Sequence, residues 1–219
     1  MGRYVVIGLG NFGLAIARTL EEMGHEVIVI ERQGVLVDRH AEWVTRAVEG
    51  DATDPAVLRA AGAAGADGAV ISTGESLATG ILATVALRDL GVKEIFVKAG
   101  NETEARALNA LGVTEAVIPE REAGERLAHR IVSQRVLDYQ PLCRGHSIQE
   151  MPVPAPWVGR SLREVAPRER EAVQVIGVRD ALTDAMQVPP DPDAVLKDSD
   201  SLVVAGADEA LERLCARRR

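Results

Sequence analysis

Aromatic side chains are scarce: 3% of the 219 residues, two each of Trp, Tyr and Phe. They do not cluster, which argues against the stacking platform that single-stranded nucleic acid needs. Trp43, Trp157, Phe12 and Phe96 are expected to pack instead. There are only two cysteines, Cys143 and Cys215, with no metal spacing and no secretory signal before the first apolar run. This argues against a disulfide framework and points to unpaired thiols in a reducing cytosol. His25, His40, His129 and His146 have no mutual spacing that suits zinc. No run of 18 apolar residues exists to span a bilayer, so a membrane role has to pass through a partner. Basic charge is also short: 25 Lys and Arg face 33 Asp and Glu, a formal net charge of −8. That argues against a general binder of phosphate backbones, and Arg217–Arg219 are too few to overturn it.

What the chain does have is a strong beginning. Arg3–Ile7 is an apolar run that stops at Gly8, and helix-forming residues follow Gly13, so the stretch reads as strand, phosphate loop and helix. In Gly8-x-Gly10-x-x-Gly13 the first glycine allows the tight turn, the second lets a phosphate approach the backbone, and the third lets the helix pack on its strand. The helix start offers unpaired N–H groups and a positive dipole end to an anion. The next apolar run, Val27–Ile30, ends in Glu31, roughly 20 residues on, as the dinucleotide fingerprint requires. Glu31 is the candidate for the ribose hydroxyls, with the ordinary surface acid as its alternative.

Strand and helix then alternate through Glu26–Glu31, a helix at 35–42, a strand at 44–48, Gly50-Asp51-Ala52-Thr53-Asp54-Pro55, and on to a sixth strand at 115–118. Asp54 reads as an N-cap with Pro55 at the first helical position, which puts Asp51 at the carboxyl end of a strand. Thr73-Gly74 and Lys98 follow further strands in the same way. Six strands joined by helices and short loops match a Rossmann-like, doubly wound parallel sheet, whose ligand belongs at the carboxyl ends of the strands. Apolar residues at helical spacing from Glu120 to Tyr139 predict a long crossover helix, with a final sheet-covering helix as the alternative. Prolines 141, 152, 154 and 156 mark a boundary. Residues 1–139 are therefore expected to form one domain and 140–219 a small C-terminal α+β domain. With about 75 residues, the latter is expected to complete its burial by pairing as a homodimer.

The chain resembles the cytoplasmic regulators of potassium conductance, among them the Ktr- and Trk-type potassium-uptake regulatory subunits. The resemblance rests on Val6–Gly13, Gly24–Val27, Gly50–Thr53, Val97–Ala99 and Ile118–Glu120, then Val158–Leu162, Val175–Val178 and Asp200–Gly206, all in this order. It implies a non-enzymatic, cytoplasmic protein whose nucleotide-binding domains assemble as dimers into a ring, an octamer by family likeness, beneath a membrane potassium channel that it gates. It implies ATP or ADP at the glycine loop, with NAD(H) as the alternative. Gly8, Gly10 and Gly13 would hold the phosphates, Glu31 the ribose hydroxyls, and Asp51 with Ala52 would lie by the adenine-ribose end; Asn11, Phe12 and Arg32 are counted with them as nucleotide-binding residues. Thr73, Gly74 and Lys98 would complete the pocket. Glu120 matches a carboxylate that in some relatives helps hold a divalent cation, and the C-terminal domain resembles a module that binds cyclic di-AMP, with Arg168 as a contact.

Asn11 stands where ATP-responsive relatives often carry Arg; Asn donates hydrogen bonds but brings no charge to a terminal phosphate. Arg32 invites a 2′-phosphate, which Glu31 would repel at close range. The rival function is an NAD-dependent oxidoreductase, since fold alone does not decide activity. Hydride transfer needs a proton donor or acceptor beside the nicotinamide, and His146 and Lys197 stand alone in the second domain.

Overall fold

Through the first half of the chain the elements are β1 (Arg3–Ile7), α1 (Asn11–Glu22), β2 (Glu26–Glu31), α2 (Gly34–His40), β3 (Arg46–Glu49), α3 (Pro55–Ala61), β4 (Gly68–Ile71), α4 (Leu77–Asp89), β5 (Glu94–Lys98), α5 (Glu102–Ala110) and β6 (Glu115–Val117). The computed structural model describes residues 1–73, 76–132 and 136–216. Its internal contacts divide the chain into two units, Met1–Glu120 and Arg121–Arg219.

The six strands of the first unit form one parallel sheet in the order β3-β2-β1-β4-β5-β6, the doubly wound order. The unbroken apolar runs of β1 and β2 are explained by burial on both faces. Val5, Ile7, Ile28 and Ile30 enter one core with Leu58, Leu87 and Leu108 from α3, α4 and α5. Val6, Val27 and Val29 enter the other, with Leu14 and Leu20 of α1 packed against it. Ile7 sits opposite Ile30 on one side and Ile71 on the other, and burying each such side chain contributes about 1.5–3 kcal/mol. Because the chain winds outward in both directions from β1, a crevice opens beyond the carboxyl ends of β1 and β4. The capping expectation holds: Asp54 accepts a hydrogen bond from the Ala56 N–H at 2.8 Å, and Pro55 opens α3.

The chain then enters α6 (Pro119–Val132), followed by β7 (Asp138–Cys143), β8 (His146–Pro152), a 3-10 turn at Ala155–Trp157, α7 (Leu162–Val165), α8 (Pro167–Glu171), β9 (Val173–Asp180), β10 (Ala185–Gln187), β11 (Ser201–Ala207) and α9 (Asp208–Ala216). The strands make an antiparallel sheet in the order β10-β9-β11-β8-β7. Met151, Leu202 and Val204 of this sheet share a core with Trp157 and with Leu211 and Leu214 of α9. A helix expected over 120–139 is thus found as α6 ending at Val132, with Asp138 and Tyr139 paired to Glu150 and Gln149 of β8. The physical reason lies in the burial: α6 has no buried residue, whereas Val136 and Tyr139 are buried. The ring of His129 stacks on Tyr139 at 3.8 Å, and Arg126 pairs with Asp138 at 3.2 Å. Among the described residues no helix is long and apolar enough to cross a membrane.

Candidate functional site

The turn from β1 to α1 depends on glycine at two positions for different reasons. Gly8 has φ +89°, a conformation that side chains with a Cβ rarely adopt, and its N–H donates to the Ile30 carbonyl at 2.8 Å. Gly13 has ordinary dihedrals but no room: a Cβ there would lie 2.0 Å from the Gly8 carbonyl oxygen and 3.1 Å from Ser72. Gly10 differs from both, because a Cβ on it would meet nothing within 4 Å. It is exposed and occupies the N-cap of α1, which has no side-chain cap hydrogen bond and no acid in its first turn. At such an uncapped, exposed helix start the dipole favours an anion.

Beside this loop lies a cavity of about 250 Å³ lined by Gly8, Gly10, Glu31, Arg32, Asp51, Ala52 and Thr73. These seven expected residues are brought together from the carboxyl ends of β1, β2, β3 and β4. Gln33, Leu36, Gly50, Ser72 and Thr79 also line it and were not singled out from the sequence. Gln33, Gly50 and Ser72 stand just beyond strand ends, which is the signal that would have found them, whereas Leu36 and Thr79 lie in the first turns of α2 and α4. Thr73 Oγ1 is buried without a hydrogen-bond partner, and such groups ordinarily find one. The donor set, the open space at Gly10 and this orphaned hydroxyl all fit a polar anionic ligand. The volume is below the roughly 300–1,000 Å³ of pockets that enclose a whole small molecule.

The charged residues of the cavity are already engaged. Glu31 accepts the Leu9 N–H at 2.7 Å and the Gln33 N–H at 3.0 Å, so it braces the glycine loop from β2. Arg32 donates to Asp51 Oδ2 at 2.8 Å, and Asp51 Oδ1 accepts from the Thr53 N–H at 2.9 Å and the Thr53 hydroxyl at 2.8 Å. The Arg32 hydrogen bond, reinforced by those from Thr53, lowers the Asp51 pKa from 3.8 to about 2. A carboxyl depressed on folding contributes stability above its unfolded pKa and loses it as pH falls through the folded value. Denaturant unfolding of wild type and Asp51→Asn is accordingly expected to show a constant gap above about pH 4 that closes towards pH 2. A gap independent of pH across that window would contradict the assignment. The Asp51 side chain is nearly half exposed, so solvent screening keeps the gap small.

The remaining expected residues lie elsewhere. Asn11 and Phe12 open α1, the first exposed and the second half-buried, and neither lines the cavity. Gly13 is buried on the inner face of that helix. Lys98, at the end of β5, forms an ion pair of 2.5 Å with Glu120 and does not line the cavity. This partner holds the Glu120 carboxyl below the usual carboxylate range, chiefly through the Lys98 hydrogen bond. Among the described residues no group of three or more His, Cys, Asp or Glu is placed to hold a metal ion. Gly74 falls outside the described residues. In the second unit Arg168 lines a larger cavity of about 740 Å³, walled by Leu162, Val173 and Val175 and by Val188–Pro190.

With the geometry in view, comparison with known proteins gives consistent matches. The TrkA-N domain matches residues 4–119 and the TrkA-C domain residues 148–218. The chain is 33% identical over 210 residues to Ktr system potassium uptake protein C of Bacillus subtilis (strain 168), covering 96% of this chain and 94% of that one. It is 30% identical over 209 residues to Ktr system potassium uptake protein A of Vibrio alginolyticus, covering 95% and 94%. Among solved structures, the GsuK channel bound to NAD superposes with a TM-score of 0.67 at 22% identity, over all of this chain. This chain spans 40% of that longer one, and the likeness is one of fold.

Proposed function

The chain belongs to the family that joins a TrkA-N domain to a TrkA-C domain, and from that premise we propose that it is the nucleotide-sensing regulatory subunit of a Ktr-type potassium-uptake system. The observation that carries this reading is collinearity. Both domains match in order, and two potassium-uptake proteins align along nearly their whole length, while the glycine loop at the crevice retains an open anion cradle. In this reading the protein is regulatory, not enzymatic: it works at the inner face of the cell membrane through a channel partner and assembles with copies of itself. The oxidoreductase alternative gains nothing from these relatives.

Adenine nucleotides, ATP or ADP, with NAD(H) as alternative, are the proposed ligands. Gly8, Gly10 and the start of α1 receive the phosphates, Glu31 the ribose, and Asp51, Ala52 and Thr73 the adenosine end. The GsuK channel, similar in fold, is itself a protein that binds NAD. Glu120 would serve a divalent cation only by leaving Lys98. The apolar and proline-walled cavity beside Arg168 supports a second ligand, cyclic di-AMP, whose flat bases and phosphodiesters suit apolar walls with a guanidinium. A ligand gates only by its differential affinity for two states, so ATP and ADP have to bias assembly differently.

The test is calorimetric titration of the nucleotide-free protein with ATP, ADP, NADH and NAD, with and without Mg²⁺, while light scattering follows assembly. Different assembly behaviour with ATP and ADP is expected, followed by nucleotide-dependent potassium flux when the membrane partner is added. Turnover of a nicotinamide with no effect on assembly would sink the proposal.

A further inference from the structure

One wall of the cavity is anchored at a distance from it. Gln33, the N-cap of α2, and Leu36, in its first turn, line the cavity. The other end of this seven-residue helix is His40, its one buried residue. His40 Nδ1 accepts a hydrogen bond from Trp43 Nε1 at 3.3 Å, and the two rings meet edge to face with centroids 5.7 Å apart. The Arg18 guanidinium of α1 lies 5.4 Å from the centroid of the Trp43 ring. Leu36 and Trp43 pack against the same core, which includes Val27, Val29 and Val44. The α2 wall is thus held to the sheet through an imidazole that has to be neutral, because a proton on Nδ1 would face the indole N–H.

We propose that His40 is a positioning residue for the nucleotide: the neutral imidazole, locked by Trp43, seats α2 so that Gln33 and Leu36 complete the cavity, and protonation of His40 releases the helix and weakens binding. The inference rests on the nucleotide reading above. Its sign follows from what surrounds the ring. Burial pushes the His40 imidazole below its ordinary 6.5, and Arg18 of α1 and Arg39 of α2 push it the same way. No acid offsets them: Asp38 and Glu42, on either side in the chain, are exposed, and Glu21 of α1 accepts the Thr45 N–H and hydroxyl at 2.8 and 3.0 Å. The carboxyl end of α2 favours a cation, but a lost hydrogen bond, burial and two guanidiniums oppose it together. A group lowered on folding gives its full stability above its unfolded pKa and loses it as pH falls through the folded one. Seated α2 and bound nucleotide therefore both favour the neutral ring, and acid works against both.

The experiment titrates the full chain calorimetrically with NAD and with ADP, from about pH 8 down to about pH 5.5. ADP gains a proton on its terminal phosphate in this window; that contribution is common to all variants, and NAD lacks it. Wild type is expected to lose NAD affinity as pH falls below 6.5, by up to about tenfold per pH unit for one linked proton. His40→Gln keeps an acceptor for the Trp43 N–H and has no proton to gain. It should bind NAD within about threefold of wild type at the alkaline end and at least about threefold tighter at the acid end. Trp43→Phe keeps a ring and removes the donor, so the loss of affinity should start at higher pH, by up to about one unit. The same wild-type and His40→Gln pH profiles, a His40→Gln variant weakened equally at every pH, or an unshifted Trp43→Phe profile each overturns the proposal. The Trp43→Phe arm stands even if His40→Gln does not fold. If wild type binds neither ligand at any pH, the nucleotide reading fails and the proposal with it, whereas binding with a profile that His40→Gln leaves unchanged overturns the proposal alone.

Discussion

Gly13→Ala is expected to destabilise the protein by about 3–5 kcal/mol and lower its melting midpoint by about 10 °C or more, by calorimetry or circular dichroism. The added methyl would lie 2.0 Å from the Gly8 carbonyl oxygen, a backbone atom that no rotamer change moves. Relief requires α1 to rise off β1, and Ser72 Cβ and Oγ at 3.1 Å close the other direction. Gly13 thus sits against the ends of both β1 and β4, which are joined there by the Ser72 N–H donating to the Ile7 carbonyl. The lifted helix would uncover the core that Leu14 and Leu20 help to cover. Gly80→Ala is the matched control. It sits inside α4 with its nearest neighbour at 3.5 Å, so the same exchange should be neutral or stabilise by up to about 1 kcal/mol through helix propensity. If both variants melt together, the close approach at Gly13 is not what the sequence motif preserves.

That contrast shows which parts of the fold are legible in the sequence. The first turn is readable because it combines a two-faced apolar strand, three spaced glycines and a helix, and each constraint is local. The cap at Asp54 is local as well; the reciprocal capping box of Ser161 and Glu164 is equally local but was not singled out from the sequence. Strand β7 is not local in this sense. Asp-Tyr-Gln-Pro-Leu-Cys buries Tyr139 alone, so it carries no alternation, and Pro141 reads as a boundary when it in fact lies on an edge strand, where a missing N–H is tolerated. Apolar spacing running on through Val136 disguised the end of α6. The three exposed residues of β10 offered no pattern at all.

The candidate site divides along the same line. Residues at strand ends can be nominated from the alternation of elements, and Gly8, Gly10, Glu31, Arg32, Asp51, Ala52 and Thr73 meet around one cavity. Which charge faces which cannot be read that way. Arg32 and Asp51 are 19 positions apart and meet because β3 lies beside β2. Lys98 and Glu120 are 22 apart and meet because β5 ends where α6 begins. A charge that looks free in the sequence is therefore often spoken for in the fold.

Gly10→Leu should cost no more than about 1 kcal/mol of stability, the loss of a good N-cap residue at a position that touches no packed feature, yet abolish nucleotide binding. The backbone permits the change: Gly10 has φ −65° and ψ 176°, open to any residue, and its Cβ direction is empty. That empty volume is where a phosphate would approach the N–H groups at the start of α1. Hydrogen bonds to a charged group are worth about 1.5–3 kcal/mol each. Losing two of them removes about 3 kcal/mol or more, at least 100-fold in affinity. ATP, ADP and NADH should all be affected, because all three present phosphate to the same loop. Calorimetric titration against a melting curve lowered by no more than a few degrees makes the case. Normal binding by a well-folded Gly10→Leu variant would show that the loop does not hold the phosphates, and a collapsed melting curve would show that Gly10 supports the fold in a way its open surroundings do not reveal.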